Sequence, residues 1–367
     1  MRCPSVVLFL IAILLPYFAD ALGSDQGPLS YSSPFFAEMD TGMKQESGLT
    51  ETPSGKTAST RFSKQFAPLG VRGAQVIKPG KWLVAYTYRH MAKDGNLIGT
   101  DSVSTAQLLN SYPLVPESMD ADIHGICLRR GITKKLTVMA MVPYIHKNCN
   151  MVMRNGTRFT VKSEGIGDLH LSGTYSLFRS ADHQVVFYGG ASAPTGSINV
   201  KDNTPTMTNA KLGYGMQRGS GTVDLYPELT YMGKRKKTYW GARVSGVLRL
   251  GENYNDYRWG NRYGLTGWTG YRFVKSLIGS FRLDWQSWAN ISGADPELNP
   301  RSTPGKDPKL RGGNRLDLLA GMSWYLNQGR FKGHRLFVEG GVPVYQDLNG
   351  PQGDTDWLLS AGWKYIF

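Results

Sequence analysis

The stretch TDWLLSAGWKYIF, residues 355 to 367, puts Trp357, Leu359, Ala361, Trp363, Tyr365 and Phe367 at every second position, opposite Asp356, Ser360, Gly362 and Lys364. Successive side chains of an extended chain point to opposite faces. One face of this segment is therefore greasy and the other wet. The greasy face runs right to the chain end, which a soluble β-sandwich does not usually do.

The same period of two recurs upstream. In 238 to 250, Trp240, Ala242, Val244, Gly246, Leu248 and Leu250 oppose Arg243, Ser245 and Arg249. In 165 to 178, Leu169, Leu171, Gly173, Tyr175 and Leu177 oppose Asp168, His170, Ser172 and Thr174. From Lys81 onward the alternation predicts about twelve strands. They fall near 81 to 91, 119 to 129, 135 to 146, 165 to 178, 184 to 194, 220 to 232, 238 to 250, 261 to 273, 277 to 290, 314 to 325, 335 to 345 and 355 to 367. Each is close to the roughly 9 to 11 residues with which a tilted strand crosses a bilayer. The connections alternate: long ones near 92 to 118, 147 to 164, 195 to 219, 251 to 260, 291 to 313 and 346 to 354, and compact turns around Gly131, Ser180, Arg235, Val274 and Gln328. Outer-membrane barrels carry short periplasmic turns and long extracellular loops, and an even strand count returns both termini to the periplasm. The expectation is an all-β fold, a transmembrane antiparallel up-and-down β-barrel occupying residues 80 to 367.

The N-terminal residues predict export. Arg2 precedes an apolar run from Val6 to Phe18, followed by Ala19-Asp20-Ala21. This is the pattern of a cleaved signal peptide over residues 1 to 21, and the run is too short for a spanning helix. Residues 22 to 79 are rich in Ser, Gly, Thr, Pro and Lys without a sustained period. They read as a flexible periplasmic arm or partial plug, with the apolar patch Phe66 to Val71 docking at the barrel mouth.

Composition excludes several classes. After the signal no apolar stretch reaches helix-spanning length, and hydrophobic residues make up 41% of the chain, which suits a wall whose lumen-facing half is polar. The net charge of +14 belongs to residues scattered over turns, loops and lumen positions, with no nucleic-acid motif. Attraction to anionic lipopolysaccharide, or a bias toward anionic solutes, accounts for it, and no nucleic-acid partner is expected. Cys127 and Cys149 fall toward opposite ends of neighbouring strands, tens of Å apart at about 3.3 Å per residue. A disulfide between them is not expected.

Strand parity assigns a set of charged and imidazole side chains to the lumen: Asp120, Asp122, His124, Asp168, His170, Asp224, Glu228, Arg243, Arg249, Arg262, Arg282, Asp284, Asp317, Glu339 and Lys364. Charges at membrane depth are expensive unless they meet water or each other. Two roles remain open for them, bracing of the wall by ion pairs and sieving of polar solutes. Catalysis is not expected, since no His has a spacing that fixes a triad and there is no G-x-S-x-G elbow. Met91, Met119, Met139, Met141, Met151 and Met153, with His90 and His124, supply ligand types that suit copper. They are spread over several strands, and no metal or other cofactor is assigned.

Several runs resemble the outer-membrane transporter family labelled as the meta-pathway phenol-degradation protein. They are DLLAGMSWY at 317 to 325, GHRL at 333 to 336, GVPVYQDLNGPQGDTD at 341 to 356, GIGDLHLSG at 165 to 173, PTGS at 194 to 197 and GSGTVDL at 219 to 225. The likeness spans about 71 to 367. It implies a monomeric barrel for small, aromatic or hydrophobic solutes, and no catalytic residues. Some relatives carry a His- and Met-rich segment before the first strand, whereas here Val71 to Gly80 reads VRGAQVIKPG. The terminal Phe367 resembles the signal read by the barrel-assembly machinery of Gram-negative outer membranes. The expected function is passive passage of small solutes across that membrane. The competing readings are a non-conducting structural or surface ligand-binding barrel and a barrel linked to copper or other metal handling.

Overall fold

The computed structural model describes residues 67 to 326 and 328 to 367; the signal-peptide assignment and residues 22 to 66 of the arm lie outside them. Eighteen strands follow in chain order. The wall is built from β1 (Trp82–Gly99), β3 (Leu114–Gly131), β4 (Leu136–Met153), β6 (Leu169–Arg179), β7 (His183–Ala193), β10 (Val223–Leu225), β11 (Glu228–Arg235), β12 (Thr238–Leu250), β14 (Arg262–Arg272), β15 (Leu277–Trp288), β17 (Gly313–Tyr325) and β18 (His334–Ile366). The long-loop end carries β2 (Asp101–Val103), β5 (Arg158–Ile166), β8 (Lys201–Thr204), β9 (Met207–Lys211), β13 (Tyr257–Arg258), β16 (Ser292–Gly293) and a short helix, α1 (Thr105–Ser111). No helix among the described residues is long and apolar enough to cross a membrane, a statement that leaves strand-crossing untouched.

Every pairing in the wall is antiparallel, and the pairings close a ring: β1–β3–β4–β6–β7–β11–β12–β14–β15–β17–β18–β1. Short β10 continues the lane of β11, pairing with the same neighbours β7 and β12. Eleven lanes cannot close with all neighbours antiparallel, so one must cross twice. That one is β18, whose first half pairs with β17 and second half with β1. It reverses around Gly350. Gly340 faces Leu358 and Leu359, Trp363 Nε1 donates to His334 Nδ1 at 2.8 Å, and Thr355 N donates to Gln346 Oε1 at 3.1 Å. Twelve crossings result, with no open edge to template association.

Several strands outrun the expected lengths at the long-loop end. β1 reaches Gly99 and β4 reaches Met153, where the sequence reading ends them near 91 and 146. Beyond the apolar outer belt the alternation of greasy and polar residues fades while the hydrogen-bonded ladder continues. Conversely, the expected strand at 220 to 232 is broken at Tyr226-Pro227. Proline has no N–H for the ladder, and its carbonyl instead accepts from Gly246 N at 2.9 Å.

Parity is readable directly. On β3, Cys127 is 5% exposed and packs with Ile77 and Leu83 inside the wall, while Ile126 and Leu128 are 63% and 45% exposed on the outside. Leu171, Tyr175 and Leu177 of β6, Leu265 of β14, Phe281 and Leu283 of β15 and Val338 and Val342 of β18 share that outward exposure. An apolar belt of this kind is what lipid demands of a barrel wall.

Candidate functional site

Twelve of the fourteen lumen candidates other than Asp120 do belong to the interior side, and most of them pair with one another. Glu228 lies 3.5 Å from Arg243, which approaches Asp284 at 3.8 Å. Asp284 lies 3.2 Å from Arg282, and Arg282 holds Glu339 through two bonds of 2.9 and 2.8 Å. The chain of alternating signs thus runs across β11, β12, β15 and β18. Thr266 of β14 completes it, accepting from Arg243 at 3.1 Å and donating to Asp284. Nearer the long loops, Arg249 pairs with Asp224, and Arg315 with Asp317 at 2.9 Å. Asp168 accepts from Gly196 N and Ser220 N at 2.9 and 2.8 Å, tying two loops together. His170 packs on Tyr226 with ring centroids 5.0 Å apart. A buried charge is tolerated only when so partnered, and these pairs brace opposite and adjacent lanes.

Asp122 and His124 are corrections, and Asp120 goes with them. The register sets His124 beside Tyr88 and Asp122 beside His90, on the pleat face that carries Ile126 and Leu128, outside the barrel. There Tyr88 donates to Asp122 Oδ1 at 2.6 Å, His90 Nδ1 lies 2.9 Å from the same oxygen, and Tyr86 Oη lies 2.8 Å from His124 Nδ1. The Trp357 ring lies tilted against His90, with centroids 4.6 Å apart. Counting charge as inward fails here because a tyrosine and histidine girdle at the upper edge of the lipid belt can satisfy an outward carboxylate. Among the described residues no group of three or more His, Cys, Asp or Glu side chains is placed to hold a metal ion. Cys127 and Cys149 are both free and buried.

Residues 67 to 79 lie inside the wall. Arg335 Nη2 donates to Ala67 O at 3.3 Å, Gly70 N donates to Glu339 Oε2 at 3.2 Å, and Arg243 donates to Gly70 O at 3.2 Å. Arg72 meets Glu228 at 3.0 Å. Val71 and Ala74 pack with Val186, Met232 and Trp268. The segment leaves the lumen past Lys364, which bonds Gln75 at 3.0 Å, and past Thr137, which accepts from Ile77 N at 2.8 Å. It enters beside the short turn before β18 and exits beside the one before β4, so it arches over the lumen from the periplasmic-type end. Two glycines permit the arch. Gly73 has φ +64 with Tyr188 against its α-carbon, and Gly70 sits under the Arg282 guanidinium. The sequence reading missed Arg72 because no period marks this stretch; the glycine pair Gly70 and Gly73 is its one visible signal.

Beyond the arch, at the long-loop end, lies a cavity of about 330 Å³. Its floor and walls come from the inner faces of β1, β3, β4, β12, β14, β15 and β17. Its roof is made by loops folded inward. Lys147 of β4 donates to Gly215 O and Gln217 O at 2.8 and 2.7 Å, which draws the turn containing Tyr214 and Met216 down toward the lumen. Lys93 and Met91 of β1 line the cavity, and Lys93 escapes a reading that ends this strand near 91.

No protein-family model matches the sequence, and no curated protein matches it. Among solved structures, an outer membrane channel from Pseudomonas putida F1 superposes with a TM-score of 0.58 at 13% identity, covering 83% of this chain and all of that one. KdgM porin and a FadL homologue from Pseudomonas aeruginosa overlap more loosely. Their TM-scores are 0.38 and 0.36 at 9% identity each, covering 77% and 78% of this chain and 99% and 89% of theirs. The first of these shows the fold: a closed antiparallel β-barrel like that of outer membrane channels.

Proposed function

We propose that the chain is an outer-membrane channel for passive passage of small solutes. The observation that carries the reading is a closed wall, apolar outside and charged inside, that encloses a cavity at its long-loop end. Such a wall has no place in water, where its outer belt would aggregate, and in lipid its interior is a polar path. The reading places the protein in the outer membrane of a Gram-negative cell as a monomer, delivered by a cleaved signal peptide. Lipopolysaccharide surrounds it, and the barrel-assembly machinery inserts it. The superposition on a Pseudomonas putida outer membrane channel supports the barrel fold of a channel, and an aromatic or hydrophobic solute is what the resemblance of several runs to the phenol-degradation transporter family implies. The arch at 67 to 79 acts as the constriction. No residue is assigned to catalysis.

The test is reconstitution of the folded chain in planar bilayers. Discrete single-channel steps are expected, small in the intact protein and larger when residues 67 to 79 are deleted. A protein that inserts, shows heat-modifiable migration and remains silent even without the arch overturns the channel and leaves a non-conducting surface barrel.

A further inference from the structure

The cavity at the long-loop end is divided by chemistry. One side, from β3 to β5 and the inward turn, presents Met119, Cys149, Met151, Phe159, Leu212 and Met216. The other side, from β12 to β17, presents Arg249, Arg262, Arg311 and Arg315 with Trp259 and Trp288, while Lys93 stands between the two. Acidic balance is lacking. Glu117 is the acidic residue of the lining, and both its oxygens are engaged by Arg158 at 2.9 and 3.2 Å. Arg249 and Arg315 are neutralised by Asp224 and Asp317. Lys93, Arg262, Lys306 and Arg311 have no carboxylate within ion-pair distance among the described residues.

The surplus is held in place. Arg262 lies over the Trp288 ring at 5.4 Å, and Trp288 Nε1 donates to Arg311 O at 2.8 Å. Arg311 in turn donates to Leu310 O and Pro351 O at 2.8 and 3.0 Å. Charges gathered under a loop roof without counter-charge cost free energy, and a ligand carrying the opposite charge recovers it. Methionine side chains, flexible and polarizable, adapt to apolar bodies of varied shape. Pockets of this kind take their affinity from the apolar lining and their orientation from a few polar groups.

We propose that this cavity is a binding site for amphipathic organic anions, an apolar body lying on the methionine side and a carboxylate or sulfonate directed to Arg262 and Lys93. The inference rests on the channel reading for its route but not for its chemistry. It narrows the solute class from hydrophobic molecules in general to acids ionised at neutral pH.

Equilibrium dialysis of the full chain in lipid nanodiscs, with 2-naphthoate, 2-naphthalenemethanol and acetate as probes, tests it. Saturable binding of 2-naphthoate is expected, with the alcohol and acetate each weaker by on the order of tenfold or more, the effect of a charge-assisted contact or of the apolar body. Joint Lys93→Gln and Arg262→Gln replacement should weaken 2-naphthoate by roughly tenfold and leave the alcohol unchanged, while Arg262→Lys retains most of the binding. Equal retention of 2-naphthoate and the alcohol, equal retention of acetate, or no saturable binding overturns the site. Currents recorded in parallel separate the two readings. Binding without conductance removes the channel and keeps the site; conductance without binding does the reverse.

Discussion

Gly70 and Arg282 are in such close contact that a Cβ on residue 70 would fall 2.3 Å from the guanidinium Nη2. The arginine cannot give way easily, because Glu339 holds it through two bonds and Asp284 through a third. The arch across the lumen and the ion-pair chain of the wall therefore fit only while residue 70 lacks a side chain.

Substituting Gly70→Val should expel or loosen the arch while leaving the wall intact, since the strand ladders do not involve this residue. Gly73→Ala should act in the same direction, because a left-handed backbone costs a non-glycine residue roughly 1–2 kcal/mol in addition to the clash with Tyr188. Single-channel conductance is expected to rise in both variants. Unchanged conductance with an unchanged fold would show that the arch does not limit flow.

Glu228 serves Arg72 of the arch and Arg243 of the wall together. Replacing it by Gln leaves two interior guanidinium groups short of a counter-charge. Removing one partner of a buried pair costs about 3–5 kcal/mol, so thermal denaturation in detergent should move clearly downward. A loss no larger than that of a lipid-facing control would mean that water, not Glu228, solvates these arginines.

The outward placement of His124 is open to direct measurement. A fluorophore on His124→Cys should be quenched by lipid-borne quenchers, and one on Arg243→Cys by a water-soluble quencher. The native thiols Cys127 and Cys149 are buried and should label slowly. The reverse quenching pattern would restore Asp122 and His124 to the lumen.

Mass spectrometry of the non-reduced protein should find Cys127 and Cys149 unlinked. Cys127 packs against Ile77 and Leu83 low in the barrel, and Cys149 sits beside Met151 at the long-loop end. A linked pair would contradict the wall register.

Anion binding should weaken as the pH rises into alkali. Burial under the loops lowers the Arg311 guanidinium to about 10 and also lowers the Lys306 ammonium. Arg311 remains cationic at neutral pH and loses its charge as the pH rises through about 10. Retained 2-naphthoate affinity well above that value would show that these cations do not hold the anion.

The legible part of the fold was its period. Alternation in 238 to 250, 165 to 178 and 355 to 367 located strands that the structure places at Thr238–Leu250, Leu169–Arg179 and within His334–Ile366. Lipid on one side and charge on the other write themselves into every second residue. The same rule misled at Asp122 and His124, whose carboxylate and imidazole are satisfied outside by Tyr88, His90 and Tyr86. Lys93 was not legible, because beyond the apolar belt the ladder of β1 continues without an apolar face to announce it.

By itself, the amino-acid sequence determined that the region after Gly80 forms a wall of strands with an apolar outer face and with Arg243, Arg282, Asp284 and Glu339 facing inward, since strand parity is local and set by the backbone. Only the tertiary structure decided that β18 crosses twice, that residues 67 to 79 arch through the lumen, and that cations from distant lanes surround one cavity. These depend on contacts between residues far apart in the chain, such as Gly70 with Arg282 and Glu339, and no local pattern encodes which distant partner closes them.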